Sequence, residues 1–278
     1  MARESKGVSP PPEVMAYYAE YAEEERLAAG SGRLEFERTK EILARLLPKP
    51  PARVIDVGGA AGVYSAWLAD QGYDVHLVDA SPRLVDEARG RNAKLSRPIA
   101  SLSVGDARSL PQADGFAAAV LVMGPLYHLT TAEDRLAALR EAHRVLSDPG
   151  VLVAAAISRY ASALVGLTLR LSLDPRFVPI RDRDLAEGQH RNDTGNPDYF
   201  TTSYFHRPED LRAELASVGF REVEVLGVEG LGWLLPDFDT RWEDPAQRKD
   251  LLYVARALES EPSVLGVSAH LIGVGRKA

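Results

Sequence analysis

The chain has 278 residues, enough for one large α/β domain or two small ones, and its 45% hydrophobic, 26% charged composition allows a substantial core. A formal net charge of −7 argues against broad electrostatic docking on DNA, RNA or anionic lipid. The absence of cysteine excludes disulfides, thiolate metal sites and a cysteine nucleophile. The first ten residues lack the apolar segment of a secretory signal, and the longest apolar stretch, 115–129, is short and interrupted by Gly124 and Pro125. The expected location is the cytoplasm, with no membrane contact.

Residues 1–12 are polar and end in Pro10-Pro11-Pro12, which reads as a flexible leader ahead of a single domain over 13–278. From Glu13 the pattern is helical. Val14, Tyr17, Tyr18, Tyr21 and Ala22 recur at three- and four-residue spacings, and Gly30-Ser31-Gly32 then interrupts. A second run through Leu34, Ile42, Leu43, Leu46 and Leu47 stops at Pro48, so 13–47 is expected to form an N-terminal helical cover. Strand patterns follow at 53–57, 74–78, 101–104, 117–123 and 151–157, alternating with helix patterns at 62–71, 81–92 and 131–146. The strands are continuous apolar runs, as expected of a parallel sheet covered on both faces. Ser81-Pro82 has the chemistry of a helix start, as does Thr130 or Thr131 ahead of Glu133 and Asp134.

Residues 158–206 break that rhythm with clustered polar and aromatic residues. A structureless stretch of this length is improbable in a compact domain, so it is expected to form an inserted cap over a site. The βα pattern resumes with a helix to Val218, a strand through Val228, a helix near 245–259 and a last strand near 265–274.

The chemistry concentrates in Val54-Ile55-Asp56-Val57-Gly58-Gly59-Ala60-Ala61-Gly62, followed by Asp79 at the end of the second strand. A strand, a glycine turn, a helix start and an acid on the next strand make a pocket for a nucleoside cofactor. The dinucleotide pattern G-x-G-x-x-G, started at Gly58, fails at Ala60 and Val63. The stretch instead resembles motif I of the class I S-adenosylmethionine (SAM)-dependent methyltransferases, an acid followed by x-G-x-G-x-G, with Ala60 at the middle glycine. Val104-Gly105-Asp106-Ala107-Arg108-Ser109-Leu110-Pro111 resembles their G-D-A-x-x-L-P segment. Val120–Leu129 resembles the segment after their fourth strand. Leu136–Leu146 with Asp148-Pro149-Gly150 resembles their L-R-E-x-x-R-V-L-x-P-G-G helix and turn, keeping one glycine. The likeness is good over 34–157 and moderate to 278. The whole chain is also similar to an actinobacterial-looking group of methyltransferases with a His-Arg-Asn…Tyr-Phe-Thr-Thr…Phe-His-Arg-Pro cap.

The resemblance implies an α/β fold with a Rossmann-like, seven-stranded, mostly parallel sheet. It also implies SAM as cofactor, S-adenosylhomocysteine as product and no metal. Asp56, Gly58, Gly59, Ala60 and Gly62 would form the cofactor turn, and Asp79, beside Ala80, would accept from both ribose hydroxyls. Asp106 would receive the adenine amino group and Ala107 N–H would support the ring, while Met123 would run past the methionine end. Tyr18 would close over the cofactor, against a core-packing alternative, and Arg33 would pair with its carboxylate, against a surface ion pair with Glu35 or Glu37.

His128, just after the fourth strand, is the best single candidate for a general base, with a packed, hydrogen-bonded histidine as the alternative. Tyr127, Arg181, His190, Arg191, Tyr199, Tyr204 and His206 are candidate substrate contacts suited to an anionic or polar molecule, with a surface or hinge role as the alternative for His190 and His206. The acid pairs Asp182/Asp184 and Asp237/Asp239 lack histidine-containing spacing and read as solvated acids. Gly124-Pro125-Leu126-Tyr127 has no side-chain acceptor where methyltransferases acting on nucleobase exocyclic amines or on glutamine carry (D/N)-P-P-Y. The expected partner is therefore a small-molecule acceptor methylated on oxygen, nitrogen or carbon, and not a nucleic acid. The residues leave the oligomeric state open, a homodimer included. A non-methylating SAM-dependent lyase or cyclase, and a non-catalytic SAM-binding scaffold, are the alternatives.

Overall fold

The computed structural model describes residues 12–20 and 23–277. The expected leader, apart from Pro12, and the positions of Tyr21 and Ala22 lie outside the described residues. Three helices come first: α1 (Pro12–Glu20), α2 (Glu23–Ala28) and α3 (Gly32–Leu46). The alternating core is β1 (Arg53–Val57), α4 (Val63–Asp70), β2 (Asp74–Asp79), α5 (Pro82–Asn92), β3 (Ser101–Val104), β4 (Ala117–Val122), α6 (Pro125–His128), α7 (Ala132–Val145) and β5 (Leu146–Ser158). The segment after β5 holds α8 (Ala161–Thr168), α9 (Val178–Glu187), β6 (Gln189–His190) and β7 (Ser203–His206). The chain ends with α10 (Pro208–Ser217), β8 (Arg221–Gly227), α11 (Phe238–Glu243), α12 (Pro245–Leu258) and β9 (His270–Lys277).

The seven expected strands are present in the order β3-β2-β1-β4-β5-β9-β8, parallel through β5 and antiparallel at β9 and β8. Among the described residues the sheet has nine strands rather than seven, because the segment after β5 adds β7 to the C-terminal end of β5 and β6 to β7. The last strand starts at His270, not near Leu265. Residues 265–267 form a 3-10 turn, and β9 runs on to Lys277 to pair with Gly150 at the start of β5.

Alternation along the strands explains the two cores. Ile55, Val120, Val122 and Leu152 face one side, packed with Leu139, Leu211 and Phe220. Val54, Leu121 and Val153 face the other, with Ile42, Leu68 and Val85. Both faces are covered, so the strands read as unbroken apolar runs. Ser81 accepts from Leu84 N and Thr131 from Asp134 N, and these caps start α5 and α7 where the sequence places helix starts. The chain runs outward from β1 to β3, then returns to β4 beside β1. That reversal opens a crevice beyond the carboxyl ends of β1 and β4.

Candidate functional site

A cavity of about 460 Å³ fills this crevice. Its floor is the turn after β1, where Gly58 has φ +72° and its N–H donates to Val78 O. A Cβ on Gly58 would come within 2.3 Å of Pro125 Cδ, so glycine is required both by conformation and by the approach of the β4–α6 loop. Gly62, at φ +79°, caps α4 and shapes the turn without lining the cavity. Ala60 holds the left-handed conformation that its motif ordinarily gives to glycine, at φ 47°.

Asp79 is anchored by the backbone on both oxygens. Its Oδ2 accepts from Ala60 N at 2.9 Å and its Oδ1 from Ser81 N at 2.8 Å. Burial raises its pKa, and those two N–H donors oppose the rise. Asp56 lines the same cavity but is nearly fully buried: Oδ2 accepts from Ser65 Oγ at 2.6 Å, while Oδ1 has no partner. Burial first, with the Asp79 charge adding and the Ser65 bond opposing, lifts its pKa to about 6. Asp106 also lines the cavity, with its carboxylate gripped by Arg108, which bridges onward to Asp134 at 2.7 Å. Gly59, Ala80, Ala107 and Met123 complete the walls that the motifs suggested.

α6 carries Tyr127 and His128 to the cavity rim. His128 Nδ1 lies 3.2 Å from the Thr202 carbonyl, which can only accept, so Nδ1 carries the proton. The Nε2 lone pair then receives the Tyr18 hydroxyl at 2.9 Å. Burial, opposed by the Thr202 bond, drives the His128 pKa down to about 4, so the ring is neutral near pH 7. Both ring nitrogens are thereby engaged, and Tyr18 and His128 line the cavity side by side.

Tyr18 and Tyr127 also line a second cavity of about 340 Å³. It is bounded by the N-terminal helices, the segment after β5 and the ends of β8 and β9. Ile157, Val165, Phe177, Phe200, Phe205 and Trp233 give it apolar walls. His190 and Tyr199 line it as well. His190, however, is committed to Asp184 (2.8 Å) and the Tyr199 carbonyl (2.7 Å) and stacks on Phe205. Asp184 is not the solvated acid expected from sequence: it is fully buried and accepts from Ser162 and His190.

The remaining candidates lie away from both cavities. Arg33 pairs with Asp239 and Glu243 at 2.6 Å each and packs over Phe238 and Trp242. Arg181 pairs with Asp182 at 2.7 Å, and Arg191 binds the His190 and Ser203 carbonyls and Gln189. The Tyr204 ring is covered by the Arg135 guanidinium at 3.7 Å, and His206 is fully buried, 3.2 Å from Glu214. Sequence reading passed over Arg26, Glu35, Glu229 and His270 on the second cavity. They come from separate segments with no shared spacing, so no local signal marks them.

The comparisons agree with this geometry. Residues 54–150 match the family model described as a methyltransferase domain. Over this stretch, about a third of its length, the chain is similar to the class I SAM-dependent methyltransferases. It is 33% identical over 177 residues to a malonyl-[acyl-carrier protein] O-methyltransferase of Geobacter sulfurreducens, covering 63% of this chain and 58% of that protein. It is 35% identical over 153 residues to a demethylmenaquinone methyltransferase of Beutenbergia cavernae, covering 54% and 59%. The chain thus spans under two thirds of the length of these relatives. A SAM-dependent methyltransferase structure from Methanosarcina mazei shares the fold, with a TM-score of 0.58 at 15% identity over 85% of this chain and 96% of that one. Among the described residues no helix is long and apolar enough to cross a membrane.

Proposed function

We propose that this chain is a cytoplasmic methyltransferase that moves the methyl group of SAM to an oxygen, nitrogen or carbon atom of a small polar molecule, without a metal. The observation that carries the reading is the Asp79 carboxylate, fixed by two backbone N–H groups on the wall of the 460 Å³ cavity at the strand reversal. An acid so held is oriented to accept from paired hydroxyls such as those of a ribose. The unpartnered Asp56 Oδ1 on the same wall fits a cofactor that brings a polar hydrogen.

SAM, when bound, supplies an electrophilic methyl group already activated by its sulfonium. The chain's own task is alignment and exclusion of water. The second cavity is assigned to the acceptor, because it shares Tyr18 and Tyr127 with the first. At that shared wall, the neutral His128 takes the Tyr18 proton into its hydrogen bond and leaves Tyr18 Oη as an acceptor for the proton of an incoming hydroxyl or amine. This moves the sequence assignment of His128 as direct base one residue outward, with His128 acting through Tyr18.

Calorimetry with SAM and S-adenosylhomocysteine, followed by mass spectrometry after incubation with a panel of small acceptors, tests the reading. Cofactor binding and S-adenosylhomocysteine formation with an acceptor mass gain of one methyl group are expected. Failure to bind SAM, or methylthioadenosine as the product, would overturn it; the latter would favour a lyase or cyclase.

A further inference from the structure

One wall of the second cavity carries alternating charges. Arg26 grips Glu35 through two bonds, 2.6 and 2.7 Å. Glu35 lies 3.5 Å from His270 Nδ1, which is 2.5 Å from Glu229 Oε1. Glu229 Oε2 in turn accepts from Ser268 Oγ at 2.7 Å and His270 N at 3.0 Å. Three of these groups, Glu35, Glu229 and His270, bring donor atoms within 4.8 Å of one another, as a metal centre does. Here the two carboxylates are already balanced by a guanidinium and an imidazolium, and Arg26 occupies both oxygens of Glu35. An ion-pair network accounts for the cluster.

The order of exposure decides what this wall presents. Arg26 and His270 are 36% and 23% exposed through their side chains, against 12% for Glu35 and 2% for Glu229. The carboxylates sit behind and the cations in front. Burial alone would depress His270, but Glu35 and Glu229 outweigh it and raise its pKa to about 9. The ring is therefore an imidazolium at neutral pH, with Nδ1–H spent on Glu229. Among the described residues its Nε2–H has no acceptor. Open at the cavity wall, this charged donor is free to donate to a ligand atom that accepts, in place of water. A cationic ligand meets Arg26 and His270 head on. A wholly apolar one leaves Nε2–H unanswered. The same cavity is also lined by Phe177, Phe200, Phe205 and Trp233, which favour a flat ring.

We propose that the second cavity takes an aromatic carboxylic acid, its ring between the aromatic walls and a carboxylate oxygen on His270 Nε2–H. The site rests on the reading of this cavity as the acceptor's, and cofactor binding in the first cavity reports on that reading separately.

The test measures binding of 4-hydroxybenzoate, 4-hydroxybenzamide and 4-hydroxybenzylamine to the full chain loaded with S-adenosylhomocysteine. The acid is expected to bind about tenfold more tightly than the amide, the scale of one charge-assisted hydrogen bond, and the amine most weakly. His270→Gln should bring the acid down to the level of the amide while S-adenosylhomocysteine affinity is unchanged. Glu229→Gln, which loosens the imidazolium, should do so in part and serves if the histidine variant folds poorly. Equal binding of acid and amide, preference for the amine, no binding of any probe, or an intact preference in His270→Gln would overturn the proposal. Loss of S-adenosylhomocysteine binding by the parent protein would instead strike the methyltransferase reading.

Discussion

Tyr18 and His128, 110 residues apart in the chain, share a 2.9 Å hydrogen bond at the wall common to the two cavities. The Thr202 carbonyl fixes the histidine tautomer, so the phenol must donate. Tyr18→Phe keeps the ring and removes only that hydroxyl. SAM affinity should stay within about threefold while kcat falls by about 10², the lower range of proton-transfer assistance. Isothermal titration beside steady-state kinetics on the acceptor found by the product screen separates the two effects. A change in KM alone would show Tyr18 to be a packing residue.

Asp79 carries the cofactor assignment, so its replacement is the sharpest test of the first cavity. Asp79→Ala removes an acceptor whose bonds to Ala60 N and Ser81 N also hold the turn in shape. SAM affinity should drop by at least tenfold, as for loss of a hydrogen bond to a charged group. An unchanged dissociation constant by titration calorimetry would remove Asp79 from the site.

Asp56 and His128 give opposing pH dependences. Asp56 holds its proton more tightly folded than unfolded, its pKa rising from 3.8 to about 6. Its presence therefore costs stability progressively from pH 4 to 6, about 3 kcal/mol in full. His128 is the reverse, lowered from 6.5 to about 4, so its contribution is present above pH 6.5 and lost as pH falls towards 4. In urea titrations across this range, Asp56→Asn should gain stability relative to the parent as pH rises. His128→Gln should lose stability relative to the parent over the same rise. Parallel curves for parent and Asp56→Asn would contradict the burial argument.

The glycine turn predicts a contrast between neighbours. Ala60→Gly relieves a left-handed alanine, and strain of about 1–2 kcal/mol less the entropy cost of glycine leaves a net gain of about 0.5 kcal/mol. Gly58→Ala adds the same strain and drives a methyl group into Pro125, so it should destabilise by more than about 2 kcal/mol and weaken SAM binding. Thermal melts with and without SAM read both, and a tolerated Gly58→Ala would contradict the close approach.

Arg33 shows where a resemblance misleads. Its guanidinium is spent on Asp239 and Glu243 over the Trp242 ring, so Arg33→Ala should leave SAM affinity unchanged and alter stability by under about 1 kcal/mol. The strands and the position of the first cavity were legible because the turn after β1, Asp79 and Asp106 each reach its wall from where they stand in the chain. The second cavity was legible only in part, through Tyr127, His190 and Tyr199. His206 and Tyr204 look like ligand contacts beside Arg207-Pro208, yet Glu214 pairs with the first and Arg135 covers the ring of the second. Conversely, His270 opens the last strand with nothing nearby to mark it, and its partners Glu35 and Glu229 come from distant segments. Which face a polar residue presents depends on what packs against it, and that is long-range information.

Apart from residues of the N-terminal helices, the walls of the first cavity come from one stretch, 56–134, whereas those of the second are gathered from the N-terminal helices, the segment after β5 and the last strand. Tyr18 and Tyr127 are the seam between them. On the proposed assignment, a lineage carrying this architecture can exchange what it modifies by drift in the scattered pieces while its grip on the methyl donor stays constant. The seam would then oblige each new guest to present its reactive atom to the same two tyrosines.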